Sequence, residues 1–375
     1  MQHDVSLMKK SGRMVRRGSA HLPKGEGGDT MSVYLRVRDS LVVLLCVAIV
    51  AVPCVVLYRN PRPIDLLSQS TVRWRISYNF RRPDGGDYLN REDAKLKKIL
   101  RKAAMPDNTV IITTLNRAWA TQNSMIDLFL ESFRAGDSIS SFLNHLVIVA
   151  LDEKAYDRCE HIHAYCFMLK TEGVDFSGEK YFMTDDYLKM MWRRIDFLRT
   201  VLEMGFNFVF TDADIMWFRD PFLHFSRDMD FQIACDHFNG NPADLDNRPN
   251  GGFNYVNSNN RTIEFYKYWY MSRELYPGNH DQDVLNIIKY DEAITEMGLK
   301  IRFLDTAYFG GLCEPSRDLN KVCTMHVNCC YGLNDKLHDV RLMLDDWKHF
   351  QSMTVKEKRL QPVKWRVPLL CRKKP

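Results

Sequence analysis

The chain has 375 residues, 45% of them hydrophobic, enough for one large or two ordinary globular domains, and no internal repeat period is visible. Its formal charge is +5, but residues 1–40 hold eight Lys/Arg against four Asp/Glu, so +4 sits in that segment and only +1 in the rest. A folded part so near neutrality lacks the basic face that a nucleic-acid partner requires, so none is expected.

In chain order, "LVVLLCVAIVAVPCVVL" at 41–57 carries no charge in seventeen residues. That is the lower limit for crossing a bilayer, which needs about 17 to 25 residues. A cleaved signal peptide is opposed by the long polar leader and the lack of a small-x-small cleavage site. A buried soluble helix is opposed by Pro53 and the β-branched valines. The segment reads as a signal anchor, and the basic leader 1–40 makes the N-terminus cytosolic. The chain beyond residue 57 would then lie in the lumen of a secretory compartment. Cys46 and Cys54 fall in the span, and the eight cysteines beyond it permit disulfides there. Zinc is a poorer reading, because no Cys-x-x-Cys pair occurs and adjacent Cys329-Cys330 is not a usual ligand spacing.

Residues 58–107, rich in Arg, Pro, Gly and Asp, read as a stem with one helical piece from Asn90 to Ala104. A folded domain is expected over 108–375. It opens with "NTVIITTLN", a buried-strand pattern, then a helix with Met125, Leu128, Phe129 and Phe133 on one face. The strand "HLVIVALD" comes next, then a helix opened by Asp185 and Asp186 and closed by Gly205. The strand "FNFVF" leads into "TDADIMWFRDP". Later come "FQIACD", "GGFNYVNSN", a helix from Thr262 to about Glu274, one after His280, and "LKIRFLD". Strands alternating with helices predict an α/β domain with a mainly parallel sheet, where ligands bind beyond the strands' carboxyl ends.

Asp212 and Asp214 stand at such an end. Two carboxylates at this spacing can grip one hard divalent cation, which can bridge phosphate oxygens of a diphosphate leaving group. An EF-hand is opposed by Met216 at the fifth position, where an oxygen is needed. An aspartyl-phosphate phosphatase would need a later Lys and acidic pair that do not stand out. Asp also caps turns, which suffices for Asp220-Pro221.

"EMGFNFVFTDADIMWFRDPF", "NGGFNYVNSN", "HDQDVLN" and "MHVNCCYGLNDKLHDVRLMLDDW", in this order over about 108–350, resemble the nucleotide-diphospho-sugar transferase domain of plant glycosyltransferase family 77. The resemblance implies a single nucleotide-sugar-binding domain, Rossmann-like and of GT-A type, with a mainly parallel mixed sheet. It implies a retaining, manganese-dependent type II Golgi enzyme that moves a pentose or galactose from a UDP-sugar to a cell-wall polysaccharide or glycoprotein. Carried over, Asp214 is a metal ligand, Asp212 is shared between metal and ribose, and His326 completes the metal shell. Gly332 and Lys336 would contact the diphosphate. Thr113, Thr114 and Asn116 would face uracil and ribose. Lys189 and Arg193 would reach the phosphates, although a solvated helix face suits them too. Gly251 and Gly252 would allow close approach of the sugar. Gln282 and Asp283 would stabilise the anomeric centre, with Asp281 capping the helix. A non-catalytic lumenal partner that binds nucleotide sugar, and a nucleotide-sugar hydrolase, are the alternatives.

Overall fold

The computed structural model describes residues 86–171, 173–360 and 363–372. The chain divides into units Met1–Arg82 and Pro83–Pro375, and every described residue lies in the second. The basic tail, the anchor at 41–57 and the stem up to residue 85 lie outside the described residues. Among the described residues no helix is long and apolar enough to cross a membrane.

Ten strands are found among these residues: β1 (Thr109–Leu115), β2 (Leu146–Ala150), β3 (Cys166–Met168), β4 (Asn207–Thr211), β5 (Ile215–Trp217), β6 (Phe231–His237), β7 (Arg248–Val256), β8 (Ile301–Phe303), β9 (Phe309–Gly311) and β10 (Thr324–His326). Seven form a sheet in the order β3-β2-β1-β4-β7-β6-β8. Strand β7 runs against both neighbours, while the other four pairs are parallel. The sheet is therefore mixed but mainly parallel, and β1, β4 and β6 end at the same edge.

The strands are buried on both faces, which is why β1 and β2 read as continuous apolar runs rather than alternating ones. Val110, Ile112, Val147 and Val149 face a core shared with the helices Gly86–Ala103, Asp185–Glu203 and Asn260–Ser272. Ile111, Leu115, Leu146 and Ile148 face a second core closed by the helices Met125–Ala135 and Leu333–Ser352. Thr184 caps the helix Asp185–Glu203 through Tyr187 N, and two aspartates in the first turn suit its dipole. Gly205, at φ +86°, lets the chain leave that helix and enter β4.

Two expectations need correction. Residues 86–107 are not stem: Leu96, Leu100 and Ala103 are buried in the first core, and His145 Nδ1 meets Ala103 O at 2.7 Å. The apolar stripe at 96, 99, 100 and 103 has the right period but is thin among lysines and arginines. The second correction is an unexpected sheet, β5-β10-β9, whose three-residue strands are too short to show a period.

Disulfides are present as expected, joining Cys159 to Cys166, Cys313 to Cys329 and Cys330 to Cys371, while Cys235 and Cys323 are buried thiols. If the helix Gly86–Ala103 belongs to the cooperative unit, Leu100→Ala will cost about 2–5 kcal/mol in denaturant unfolding. A loss below about 0.5 kcal/mol, typical of surface positions, would return the helix to the stem.

Candidate active site

The Asp-x-Asp pair spans the gap between the two sheets. Asp212 leaves β4 with its N–H on Gly252 O at 2.7 Å, and Ile215 N closes the turn on Asp212 O at 3.1 Å. The chain then enters β5, against which β10 runs antiparallel with His326 opposite Ile215, and Val327 N donates to Asp214 O at 3.0 Å. This register sets His326 Nε2 3.2 Å from Asp214 Oδ1. Lys336, from the first turns of the helix Leu333–Ser352, places Nζ 2.5 Å from Asp214 Oδ2. Donor atoms of Asp212, Asp214 and His326 all lie within 4.8 Å of one another. A Cβ on Gly252 would stand 2.6 Å from Asp212 Oδ2 and 2.7 Å from His326 Cε1, so a side chain there would fill the cradle.

Arg194 completes the cluster. It is 5% exposed, lies over the Phe210 ring, and donates to Asp212 Oδ1 at 2.9 Å and Asp281 Oδ2 at 2.5 Å. Three carboxylates, Asp212, Asp214 and Asp281, thus face two fixed cations, Arg194 and Lys336. Burial works to raise the pKa of Asp214, but Lys336 and His326 outweigh it and hold the carboxyl well below its usual range. Asp212 is pushed up, first by burial and then by Asp214, against the pull of Arg194. An excess of negative charge in a partly buried place, lined by two carboxylates and an imidazole, is a donor set that fits a hard or borderline divalent cation such as manganese.

A second polar group lies beside the first. Asp236, near the end of β6, accepts from Asn250 Nδ2 at 2.9 Å and Asn328 Nδ2 at 2.7 Å on one oxygen, and from Gln282 Nε2 at 2.7 Å on the other. Gln282 Oε1 in turn accepts from Gly251 N at 3.1 Å.

Several residues stand elsewhere than the sequence suggested. Lys189 is exposed, and Arg193 pairs with Asp196 at 2.9 Å. The buried stripe of that helix is Met191, Ile195 and Leu198, so Arg194 is the one that faces the sheet. Asp283 does not reach the cluster. His280, not Asp281, caps the helix Asp281–Ile288 by accepting from Asp283 N at 3.0 Å, and the half-exposed Asp283 carboxylate sits 3.3 Å from that ring. Residues two apart on a helix point about 200° apart, so Asp281 turns inward as Asp283 turns out. Gly332 borders open space, with no atom within 4 Å of where a Cβ would stand, and serves the turn before Leu333 with φ +84°.

Thr113 is fully buried in β1. The pairing of Ile112 with Phe210 carries half-buried Thr114 level with Asp212 at the sheet edge. Asn116 is engaged structurally: Oδ1 accepts from Trp119 N, while Nδ2 donates to Phe176 O at 3.1 Å and Gly178 O at 3.0 Å. A cleft of about 480 Å³ opens beyond β1–β3, lined in part by Arg117, Asp152, Lys170 and Phe176.

Arg194, Asp236, Asn250 and Asn328 were missed from sequence, and Asp281 was read as a helix cap. Asp236 could have been found by the strand-end rule that found Asp212, and Arg194 as a lone charge on an apolar stripe.

The sequence profile of the nucleotide-diphospho-sugar transferase family matches residues 141–340. An uncharacterized protein of Arabidopsis thaliana is 54% identical over 280 residues, 74% of this chain and 74% of its own length. The arabinosyltransferase RRA2 of Arabidopsis thaliana is 25% identical over 150 residues, 40% of this chain and 32% of its own. A UDP-galactose:fucoside alpha-3-galactosyltransferase of Dictyostelium discoideum is 41% identical over 70 residues, 17% of this chain and 10% of its own. The chain belongs to the nucleotide-diphospho-sugar transferase family, a family of nucleotide-sugar glycosyltransferases, as its motifs implied.

Arg194→Met will leave Asp281 and Asp212 without their shared cation, at a cost of about 3–5 kcal/mol. In thermal unfolding the double variant Arg194→Met, Asp281→Asn should recover part of that loss; strictly additive effects would contradict the coupling.

Proposed function

We propose that this chain is a retaining glycosyltransferase of GT-A type that moves a sugar from a UDP-sugar to a polysaccharide or glycoprotein acceptor, with a divalent cation, manganese by preference, at Asp212, Asp214 and His326. The observation that carries the reading is the convergence of these three side chains, with Lys336 and Arg194, on one spot at the sheet edge where Asp214 is buried and Asp212 and His326 are partly exposed. A cation held there would supply positive charge to the diphosphate leaving group. Lys336 keeps Asp214 ionised and offers an ammonium beside the same place. Arg194 holds Asp212 and Asp281 in fixed positions, which is pre-organisation for binding a charged substrate.

The cleft beyond β1–β3, lined by Arg117 just past the end of β1 and by Asp152 and Phe176, suits the nucleoside. Asp236 and Gln282, anchored by Asn250 and Asn328, offer carboxylate and amide groups to sugar hydroxyls and to charge developing at the anomeric carbon. A pentose or galactose donor is supported by the names of the two relatives, arabinosyl- and galactosyltransferases. The uncharged segment 41–57 after a basic leader supports a single-pass type II enzyme of the Golgi membrane, with the domain lumenal.

The full-length chain, screened with UDP-arabinose, UDP-xylose and UDP-galactose plus acceptors, should release UDP only with a divalent cation and stop on adding chelator. Asp214→Asn should lower this turnover at least a hundredfold, since an amide keeps the shape but drops the charge. Turnover that ignores chelator would remove the metal from the account. UDP release indifferent to acceptor would instead indicate a hydrolase, and UDP binding without turnover a non-catalytic partner.

A further inference from the structure

The segment between β3 and the helix Asp185–Glu203 is fastened on both sides of the site. Gly178 O accepts from Asn116 at the end of β1, and the Glu179 carboxylate accepts from Leu333 N at 2.9 Å, at the start of the helix that carries Lys336. Lys180 pairs with Asp186 at 2.9 Å. Between these ties three large apolar residues in a row face solvent: Tyr181 at 65%, Phe182 at 51% and Met183 at 38% exposure. Met183 is also in the left-handed backbone region, φ +66°. Contiguous exposed apolar surface on a tied, strained loop is unfavourable in water and marks a binding surface.

The Phe182 ring meets Tyr187 at 5.4 Å and His280 at 5.2 Å between centroids, both at steep angles. His280 touches the Asp283 carboxylate, and the next residue in the chain, Asp281, is Arg194's partner. The exposed ring therefore borders the cluster proposed for the donor. We propose that Phe182, with Tyr181 beside it and the Asp283 carboxylate at its margin, is the docking platform for a glycan acceptor. A sugar ring would stack its C–H face on the phenyl ring while Asp283 accepts a hydroxyl hydrogen bond. Exposed aromatic faces with a few placed polar groups use the same apolar and hydrogen-bonding chemistry that orients small molecules in their sites. A proline-rich peptide docks instead in a groove between several aromatic rings. Here the exposed rings stand near a half-exposed carboxylate, an acceptor that sugar hydroxyls can use and a prolyl ring cannot, which favours the glycan. This inference rests on the transferase reading, because it assigns the acceptor of that site.

Calorimetry on the full-length chain saturated with UDP and manganese tests it, using xylohexaose, arabinohexaose, galactotetraose and a hydroxyproline-rich peptide as probes. Wild type should bind at least one oligosaccharide. Phe182→Ala should weaken that binding about tenfold, the scale of one lost aromatic contact, with UDP affinity unchanged and Phe182→Trp restoring it. Equal oligosaccharide affinity in Phe182→Ala, binding of the peptide alone, or no oligosaccharide binding would overturn the platform while leaving the donor site intact. Failure of wild type to bind UDP with manganese would overturn the transferase reading itself.

Discussion

The burial of Asp214 is the constraint on which the site depends. A carboxylate at 2% exposure is tolerable only with partners, and it has two, Lys336 and His326. Neither is near it in sequence. His326 arrives because β10 pairs with β5 in one register, and Lys336 because the chain turns at Gly332 straight into a helix. Between them lie Cys329 and Cys330, each in a disulfide, one back to Cys313 and one to Cys371. Two cross-links thus confine the segment that supplies His326, Asn328 and Lys336, restricting the alternatives open to the unfolded chain. The cluster still sets three carboxylates against two fixed cations, Arg194 and Lys336, and the proposed cation site rests on that imbalance.

The network continues through Arg194. Its guanidinium joins Asp212, at the strand end, to Asp281, at the start of a helix on another part of the chain. Gly251 and Gly252 matter for the same reason: a Cβ on Gly251 would be 3.4 Å from both Arg194 Nη2 and Asp281 Oδ2, and one on Gly252 would invade the Asp212–His326 gap. Their lack of side chains is a matter of space, and their backbone N–H groups hold Gln282 and Asn250, which in turn hold Asp236.

Legibility in the sequence followed length scale. The long buried strands β1, β2 and β4 and the helix Asp185–Glu203 were visible because apolar runs, caps and Gly205 agree with one another. The Asp-x-Asp was visible because buried carboxylates at a strand end are costly without a partner. Three-residue β5, β9 and β10 were not visible, since pairing between distant short segments leaves no local pattern. Choosing Arg193 over Arg194 came from following charge spacing instead of the buried stripe. Choosing Asp283 over Asp281 came from assigning the cap to Asp281 when His280 holds it. The helix Gly86–Ala103, expected over 90–104, was assigned to the stem because its lysines and arginines outweigh the four-residue stripe 96, 99, 100 and 103 by composition, although not by burial.

The central claim, that Asp212, Asp214 and His326 form one cation site, is tested most directly by electron paramagnetic resonance of manganese. Adding the full-length chain with UDP should quench the free-ion signal, and His326→Ala and Gly252→Ala should each weaken that binding by about tenfold or more, in the range seen when a metal site loses a supporting group. Undiminished manganese binding in both variants would contradict the account.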